Sequence, residues 1–287
     1  MITHNGTYLS AATHHGMPIY AATMGGKMVI GFSLLFATQQ AIVAAFGAEG
    51  TEVIQKTNDY LNRIATTDPQ RALLLAGFIN EDPMLVCSLV ETSKTRWLVG
   101  DGKGWILLPV TFDTTNCNLL QMEAKVKTYS TTGWRVHGQG SGNCRYFGMN
   151  NQTMFAYGNN RDIVTNVSAT PYLGKEVTYN LDFVAKRYKV EYGGNNIVDV
   201  SFTPTSTSGT HNLSLFAWQN NGALGEVNKS DIAYATYGFA GEQVANFIPM
   251  QRTDGTCGML DIISGTFYPN ANTQGSFTIA LTSKTTS

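Results

Sequence analysis

The amino-acid sequence predicts a mainly β protein, with a large antiparallel β-sandwich preceded by a smaller helical module and an extended arm. Three observations carry that expectation. Apolar and polar residues alternate with period two in run after run beyond residue 95. Gly- and Asn-rich turn signals separate these runs at hairpin spacing. The helical period disappears beyond Glu91–Thr95. With 287 residues, the chain is long enough for one large domain or two modest ones, each with its own core.

The first 30 residues read as an arm. Asn5-Gly-Thr-Tyr-Leu-Ser-Ala-Ala-Thr-His14 is followed by His15-Gly-Met-Pro-Ile-Tyr-Ala-Ala-Thr-Met24, a tandem repeat of period ten. Two copies do not build a solenoid, so the segment is expected to be extended and to lie on a neighbouring surface. Residues 31–94 are expected to form a small helical module for anchoring or oligomerisation. Leu34–Phe46 lacks Pro and Gly, and Gly47 stands at the C′ position. In Thr51–Ile64, Val53, Ile54, Thr57, Tyr60, Leu61 and Ile64 share one helical face, opposite Glu52, Gln55, Asn58 and Asn62. Asp68-Pro69 supplies an N-cap and a Pro at N1 for a third helix over Gln70–Gly77.

Near Glu91–Thr95 the composition changes, and residues 95–287 read as the sandwich. Leu120, Met122, Ala124 and Val126 alternate with Gln121, Glu123, Lys125 and Lys127. Tyr179, Leu181 and Phe183 alternate with Asn180 and Asp182, and Tyr188, Val190 and Tyr192 with Arg187, Lys189 and Glu191. Gly193-Gly-Asn-Asn196 then turns the chain into Ile197–Phe202, and Asn220-Asn-Gly222 ends the strand Leu213–Gln219.

Composition excludes several function classes. A formal charge of −1, with Lys186-Arg187 the only basic dipeptide, leaves no footprint for nucleic acid. Cys87, Cys117, Cys144 and Cys257 are scattered without CxxC or Cys/His spacing, so no zinc site is expected and buried free thiols are. His4, His14 and His15 form no metal site, because neighbours in extended chain point opposite ways. No loop has calcium-ligand spacing, and no cofactor is expected. Met28–Gly47 has the length of a membrane span, but Gln39-Gln40 sit at its centre, so no membrane partner is expected. The start of the sequence has no signal-peptide pattern, which points to synthesis in a cytoplasm.

Three segments together resemble a known family. They are Trp97-Leu-Val-Gly-Asp-Gly-Lys-Gly-Trp-Ile106, Leu213-Ser-Leu-Phe-Ala-Trp-Gln-Asn-Asn-Gly222, and Asn246–Tyr268 closing with Gly275-Ser-Phe277. The last contains Phe-Ile-Pro, Asp-Gly, Gly-Met-Leu-Asp and Ser-Gly-Thr-Phe in order. This pattern is similar to the concanavalin-like (laminin-G-like) jelly-roll domains of structural and fibre proteins in phages and prophages of gut bacteria. The resemblance covers residues 95–287 and implies a jelly-roll sandwich on a virion protein: a head fibre, a decoration protein or a tail appendage. It further implies a homo-oligomer, with a trimer as the expectation for fibres, and docking to other virion proteins through the N-terminal arm. In structural terms, Pro249 is expected to end a strand, Asp254-Gly255 to turn, Gly265 to need a permissive backbone, and Phe267 and Phe277 to fill core.

No catalytic residue is expected. A glycosidase needs two facing carboxylates, whereas Glu123, Asp182, Glu191 and Asp199 lie apart on the polar sides of alternating strands. There is no G-x-S-x-G, and His137 and His211 have no readable partner. Glycan binding is the stronger expectation, because sugar faces stack on aromatic rings framed by Asn and Gly. The candidates are Trp134, Tyr146, Tyr157, Trp218 and Asn220, each of which has packing as its plainer role. The alternatives are a bacterial glycan-binding or adhesin module outside any virion and, ranked third, a glycoside hydrolase.

Overall fold

The computed structural model describes residues 2–4, 7–14, 17–24, 27–32, 34–111, 121–128, 135–140, 145–149, 153–158, 162–203, 212–220, 223–239 and 242–284. The chain divides into two units. One comprises Met1–Arg96 with Arg252–Gly255 and Thr282–Lys284; the other comprises Trp97–Gln251, Thr256–Leu281 and Thr285–Ser287.

The first unit opens with an antiparallel meander of β1 (Ile2–His4), β2 (Thr7–His14), β3 (Met17–Met24) and β4 (Lys27–Phe32), in that order. The segment expected to be extended is extended, but the repeat pairs with itself: Leu9 faces Ala22, Ala11 faces Tyr20 and Ala12 faces Ile19. An eight-residue strand and a two-residue connection account for the period of ten. Three helices follow where the 3.6-residue pattern places them: α1 (Phe36–Phe46), α2 (Gly50–Ala65) and α3 (Pro69–Glu81), then a short α4 (Val86–Leu89). Gly47 takes a φ of 59° at the end of α1. The core face of α2 is Val53, Thr57, Leu61 and Ala65, with Ile54, Tyr60 and Ile64 half-buried beside it. Gly50 lets α2 approach α1, since a Cβ there would stand 2.6 Å from the Val43 Cα. Asp68 caps α3 by accepting from the Arg71 N–H at 3.0 Å. The α3 helix runs past Gly77 to Glu81, because Phe78 and Ile79 continue its apolar face and Asp82 is the first non-helical residue. The Asp82 carboxylate is ion-paired with Arg96, both side chains being nearly fully buried. No single described helix is long and apolar enough to cross a membrane. The apolar run Met28–Gly47 is split between β4 and α1.

The second unit is a sandwich. A ten-stranded sheet contains β5 (Lys94–Gly100), β7 (Gln121–Thr128), β12 (Glu176–Asp182), β13 (Arg187–Tyr192), β14 (Asn195–Ser201), β18 (Ser230–Phe239), β19 (Glu242–Gln251), β20 (Cys257–Asp261), β21 (Thr266–Pro269) and β22 (Phe277–Ser283). Its order is β14-β13-β12-β7-β18-β19-β20-β21, with β5 joining β18 to β22. The second sheet has eight strands: β6 (Ile106–Thr111), β8 (Arg135–Gly140), β9 (Arg145–Met149), β10 (Thr153–Gly158), β11 (Asp162–Ser168), β15 (Asn212–Leu215), β16 (Ala217–Asn220) and β17 (Ala223–Val227). One apolar core joins the two sheets. Ile106, Leu108, Met154, Leu213 and Leu215 come from the smaller sheet; Val126, Tyr179, Leu181, Tyr188, Val190, Phe247 and Met259 come from the larger. The fold class is therefore the mainly β sandwich with an N-terminal helical module that the sequence predicts.

Several local expectations are corrected. The expected strand Leu213–Gln219 is broken at Phe216, whose φ of 65° is unusual for a bulky side chain. That turn is held by the Ser214 hydroxyl donating to the Ala217 carbonyl (2.7 Å) and the Asn228 N–H donating to the Phe216 carbonyl (2.7 Å). It aims the ring into the core against Phe277, with centroids 4.7 Å apart. Tyr192, at the end of β13, is 37% exposed, with its ring edge-on to that of Tyr172 at 5.4 Å; the register shift between Val190 and Glu191 puts the extra residue, Ile197, on β14. Pro249 does not end its strand but lies inside β19, facing Met259. The β18 ladder stops at Phe247, so Pro249 interrupts no pairing on that side. Phe267 is only half-buried, and its neighbour Tyr268 packs on the core, edge-on to Phe247 at 5.6 Å. Phe277 is core at 8% exposure, and Gly255 and Gly265 take φ of 87° and 70°, as expected. Cys87 and Cys257 are free and buried, again as expected; Cys117 and Cys144 lie outside the described residues.

Candidate functional site

On the larger sheet, alternation builds the core and a polar surface from the same strands. Val177, Tyr179 and Leu181 of β12 and Tyr188 and Val190 of β13 are buried. The intervening residues therefore point to the opposite face. Register sets them in rows: Thr178 faces Glu191, Asn180 faces Lys189 and Asp182 faces Arg187. With Ala185 and Asn196 they line a groove of about 480 Å3. Beyond β12 the rows continue onto β7, where Lys125 faces Thr178, Glu123 faces Asn180 and Gln121 faces Asp182.

Hydrogen bonding fixes one end of this surface. The Asp182 Oδ1 accepts the N–H groups of Val184 and Ala185, both at 2.8 Å, and so forms the turn into β13. Lys186 completes that turn with a φ of 54°. Arg187 donates through Nε to the Asp199 Oδ1 at 2.9 Å and through Nη1 to the Ser201 hydroxyl at 3.1 Å. A pair formed by Lys125 and Glu176 borders the row. The groove thus presents amide, hydroxyl and charged groups of both signs, with no exposed aromatic ring among its lining residues. Asp182 and Glu191, apart in sequence, line the same groove. Asp182 is already engaged as a turn acceptor, and Asp199 is engaged by Arg187.

The expected aromatic site residues fall elsewhere. Trp134 lies outside the described residues, as does His211. Tyr146 and Tyr157 are cross-strand partners on β9 and β10 of the smaller sheet. Trp218 and Asn220 are on β16, where Asn220 pairs with Ala223 and, in parallel, with Gly140 of β8. Only the backbone of these four is described, and all belong to the smaller sheet, whereas the polar groove is on the larger. The groove was visible in the sequence only as polar alternation in three consecutive strands. A search led by aromatic rings passes over it.

Among the described residues no group of three His, Cys, Asp or Glu side chains is placed to hold a metal ion. His4 and His14 stand at strand ends in β1 and β2. A second cavity, of about 780 Å3, belongs to the first unit and is lined by Gln70, Leu73, Leu74, Gly77, Phe78, Glu81 and Arg252. Its rim is pinned by Arg252, whose Nε donates to the Glu81 Oε1 at 2.8 Å.

No protein-family model matches the chain, and no curated protein matches it. Solved structures with a partial likeness to it include the K499G mutant of NanB sialidase from Streptococcus pneumoniae, at 12% identity and a TM-score of 0.35, covering 50% of this chain and 26% of that one. Another is Trypanosoma rangeli sialidase in complex with sialic acid, at 10% identity and a TM-score of 0.33, covering 83% of this chain and 42% of that one. The chain spans about a quarter of the first and less than half of the second. Likenesses this partial identify neither a family nor an activity.

Proposed function

We propose that this protein is a non-enzymatic virion protein of a phage, a head fibre, decoration protein or tail appendage, whose sandwich holds host-surface or mucosal glycans. The observation that carries glycan recognition is the polar groove of β12, β13 and β14. Its rows of Thr178, Asn180, Asn196, Lys189 and Glu191 offer the mixture of donors and acceptors that sugar hydroxyls require. The virion setting and the jelly-roll topology rest on the motif resemblance over residues 95–287. In this reading the first unit docks on other virion proteins and brings copies of the chain together, three by analogy with fibres. The chain is made in the bacterial host cytoplasm and carried on the particle. An adhesin outside any virion is the second reading. A glycoside hydrolase is the third, favoured only by Asp182 and Glu191 sharing one groove.

A glycan array probed with the full chain tests the recognition. Binding is expected, and the double variant Asn180→Ala, Asn196→Ala is expected to lose at least tenfold in affinity while keeping its melting temperature within a few degrees. Absence of binding to every glycan overturns the recognition. Mass spectrometry of purified particles tests the setting: finding no copies of the chain overturns it. Turnover of any bound glycan overturns the non-enzymatic assignment.

A further inference from the structure

Resting on that glycan-binding reading, we infer that the groove on β12–β14 selects a saccharide carrying an isolated carboxylate among neutral hydroxyls, with Lys189 as the charge partner.

The inference comes from how the charged groups around Lys189 are committed. Lys189 is half-buried in the middle of the groove, on the central of its three strands. Its cross-strand neighbours are Asn180 on β12 and Asp199 on β14. Asp199 is held by Arg187 through both Nε and Nη2, at 2.9 and 2.6 Å. Asp182 is occupied by the two turn N–H groups. Among the described residues Lys189 has no hydrogen-bond or ion-pair partner, whereas Arg187 is paired with Asp199 and Lys125 with Glu176. A partly desolvated ammonium beside neutral amide and hydroxyl groups gains more from an incoming carboxylate than a fully solvated one does.

Glu191 sets the second half of the specificity. It lies two residues along β13 on the same face, about 7 Å from Lys189 at the rise of an extended strand. Its carboxylate accepts from sugar hydroxyls but repels a second anion at that distance, which is inside the Debye length at physiological salt, about 8 Å. Thr178 and Asn196, which also line the groove, are neutral hydrogen-bonding groups suited to the remaining hydroxyls. Such a groove favours one carboxylate per few sugars over a neutral chain, and both over a densely sulfated one.

Calorimetric titration of the full chain with three probes tests this: a neutral oligosaccharide, the same length of oligosaccharide with a single uronate, and a densely sulfated oligosaccharide. The uronate-bearing probe is expected to bind tightest, by about tenfold over the neutral one, with an advantage that shrinks as salt rises. Lys189→Gln should remove that advantage, lowering affinity for the uronate-bearing probe about tenfold more than for the neutral one. Glu191→Gln should raise affinity for the sulfated probe. Equal loss of neutral and acidic binding in Lys189→Gln, at unchanged melting temperature, overturns the charge pairing, as does preference for the neutral probe. Either result leaves the glycan-binding reading standing. Failure of all three probes, together with a blank glycan array, overturns both.

Discussion

At the scale of single residues, acidic and amide side chains serve mainly as acceptors that shape loops. Asp101 shows how far this goes. Its Oδ1 accepts the N–H groups of Lys103 (2.8 Å) and Gly104 (2.9 Å), and its Oδ2 accepts the N–H and hydroxyl of Ser276, at 2.7 and 3.2 Å. Partial burial pushes its carboxyl pKa up, but these bonds outweigh burial and hold it below the ordinary value. Asn270 works alongside, accepting from the Trp105 and Asn272 N–H groups and donating to the Asn272 and Gly275 carbonyls. A depressed carboxyl stabilises the fold above its unfolded pKa, about 3.9, and that contribution disappears as pH falls through the folded value. Asp101→Asn is therefore expected to lower the melting temperature by a few degrees at pH 7. The gap to the parent chain should close below about pH 4, which thermal scans from pH 7 to 2.5 will read. A gap that stays constant with pH would refute the role given to the carboxylate. Asp261 is used similarly, its carboxylate accepting from the N–H groups of Asn246, Ile263 and Ser264. This is the physical role of the Asp in the Gly-Met-Leu-Asp motif.

At the scale of elements, the glycines of the C-terminal motif separate into two kinds. Gly255 and Gly265 serve backbone conformation, whereas Gly258 serves approach: a Cβ there would lie 2.3 Å from the Tyr268 carbonyl oxygen on the neighbouring strand. Because the obstacle is backbone, β20 and β21 must separate to admit even a methyl group. Gly258→Ala is expected to destabilise by about 1–3 kcal/mol, the range for overpacking. Gly77→Ala, in a helix with nothing near its Cβ position, should stabilise by about 0.5–1 kcal/mol. Urea unfolding of the two variants gives the opposite signs directly, and equal signs would contradict the packing account. Helices were legible element by element, because capping and the 3.6-residue pattern are local. Asp68-Pro69 located the start of α3, and the face of α2 was read almost residue for residue. Several strands were equally legible from alternation, but strand partnership was not. Nothing in Trp97–Ile106 says that its two strands part to different sheets, nor does Leu213–Gln219 announce the turn at Phe216.

At the scale of the molecule, pairings distant in sequence close the sandwich. β5, near residue 97, is bordered by β18 and by β22, the last strand. Phe277 of β22 stacks on the strained Phe216 turn. A chain ending after Gln274 retains nearly all other pairings but leaves β5 with an open side and Phe216 without its partner ring. It is expected to lose about 3–5 kcal/mol, the cost of removing a buried Phe, and to bind an apolar dye at room temperature. Equilibrium denaturation beside dye fluorescence measures both, and unaltered stability would remove β22 from the core. The candidate site also belongs to this scale. Thr178, Asn180, Lys189, Glu191 and Asn196 come from three strands, and only their register makes a groove of them. In the sequence, Asn180, Lys189 and Glu191 show only as the polar side of alternating strands, and Asn196 as part of a turn.

The sequence by itself determined that this is a mainly β sandwich behind a short helical module, where its three longer helices and several of its strands run, and which residues of those elements face inward. Those properties depend on periodicity and caps, which are local. Only the tertiary structure decided that the ten-residue repeat pairs with itself, that β5 and β6 separate, that the chain turns at Phe216, and that Lys189 has no partner among the described residues. Each of these depends on which strand lies beside which, and hydrogen-bonded neighbours in a sheet can be more than a hundred residues apart in the chain.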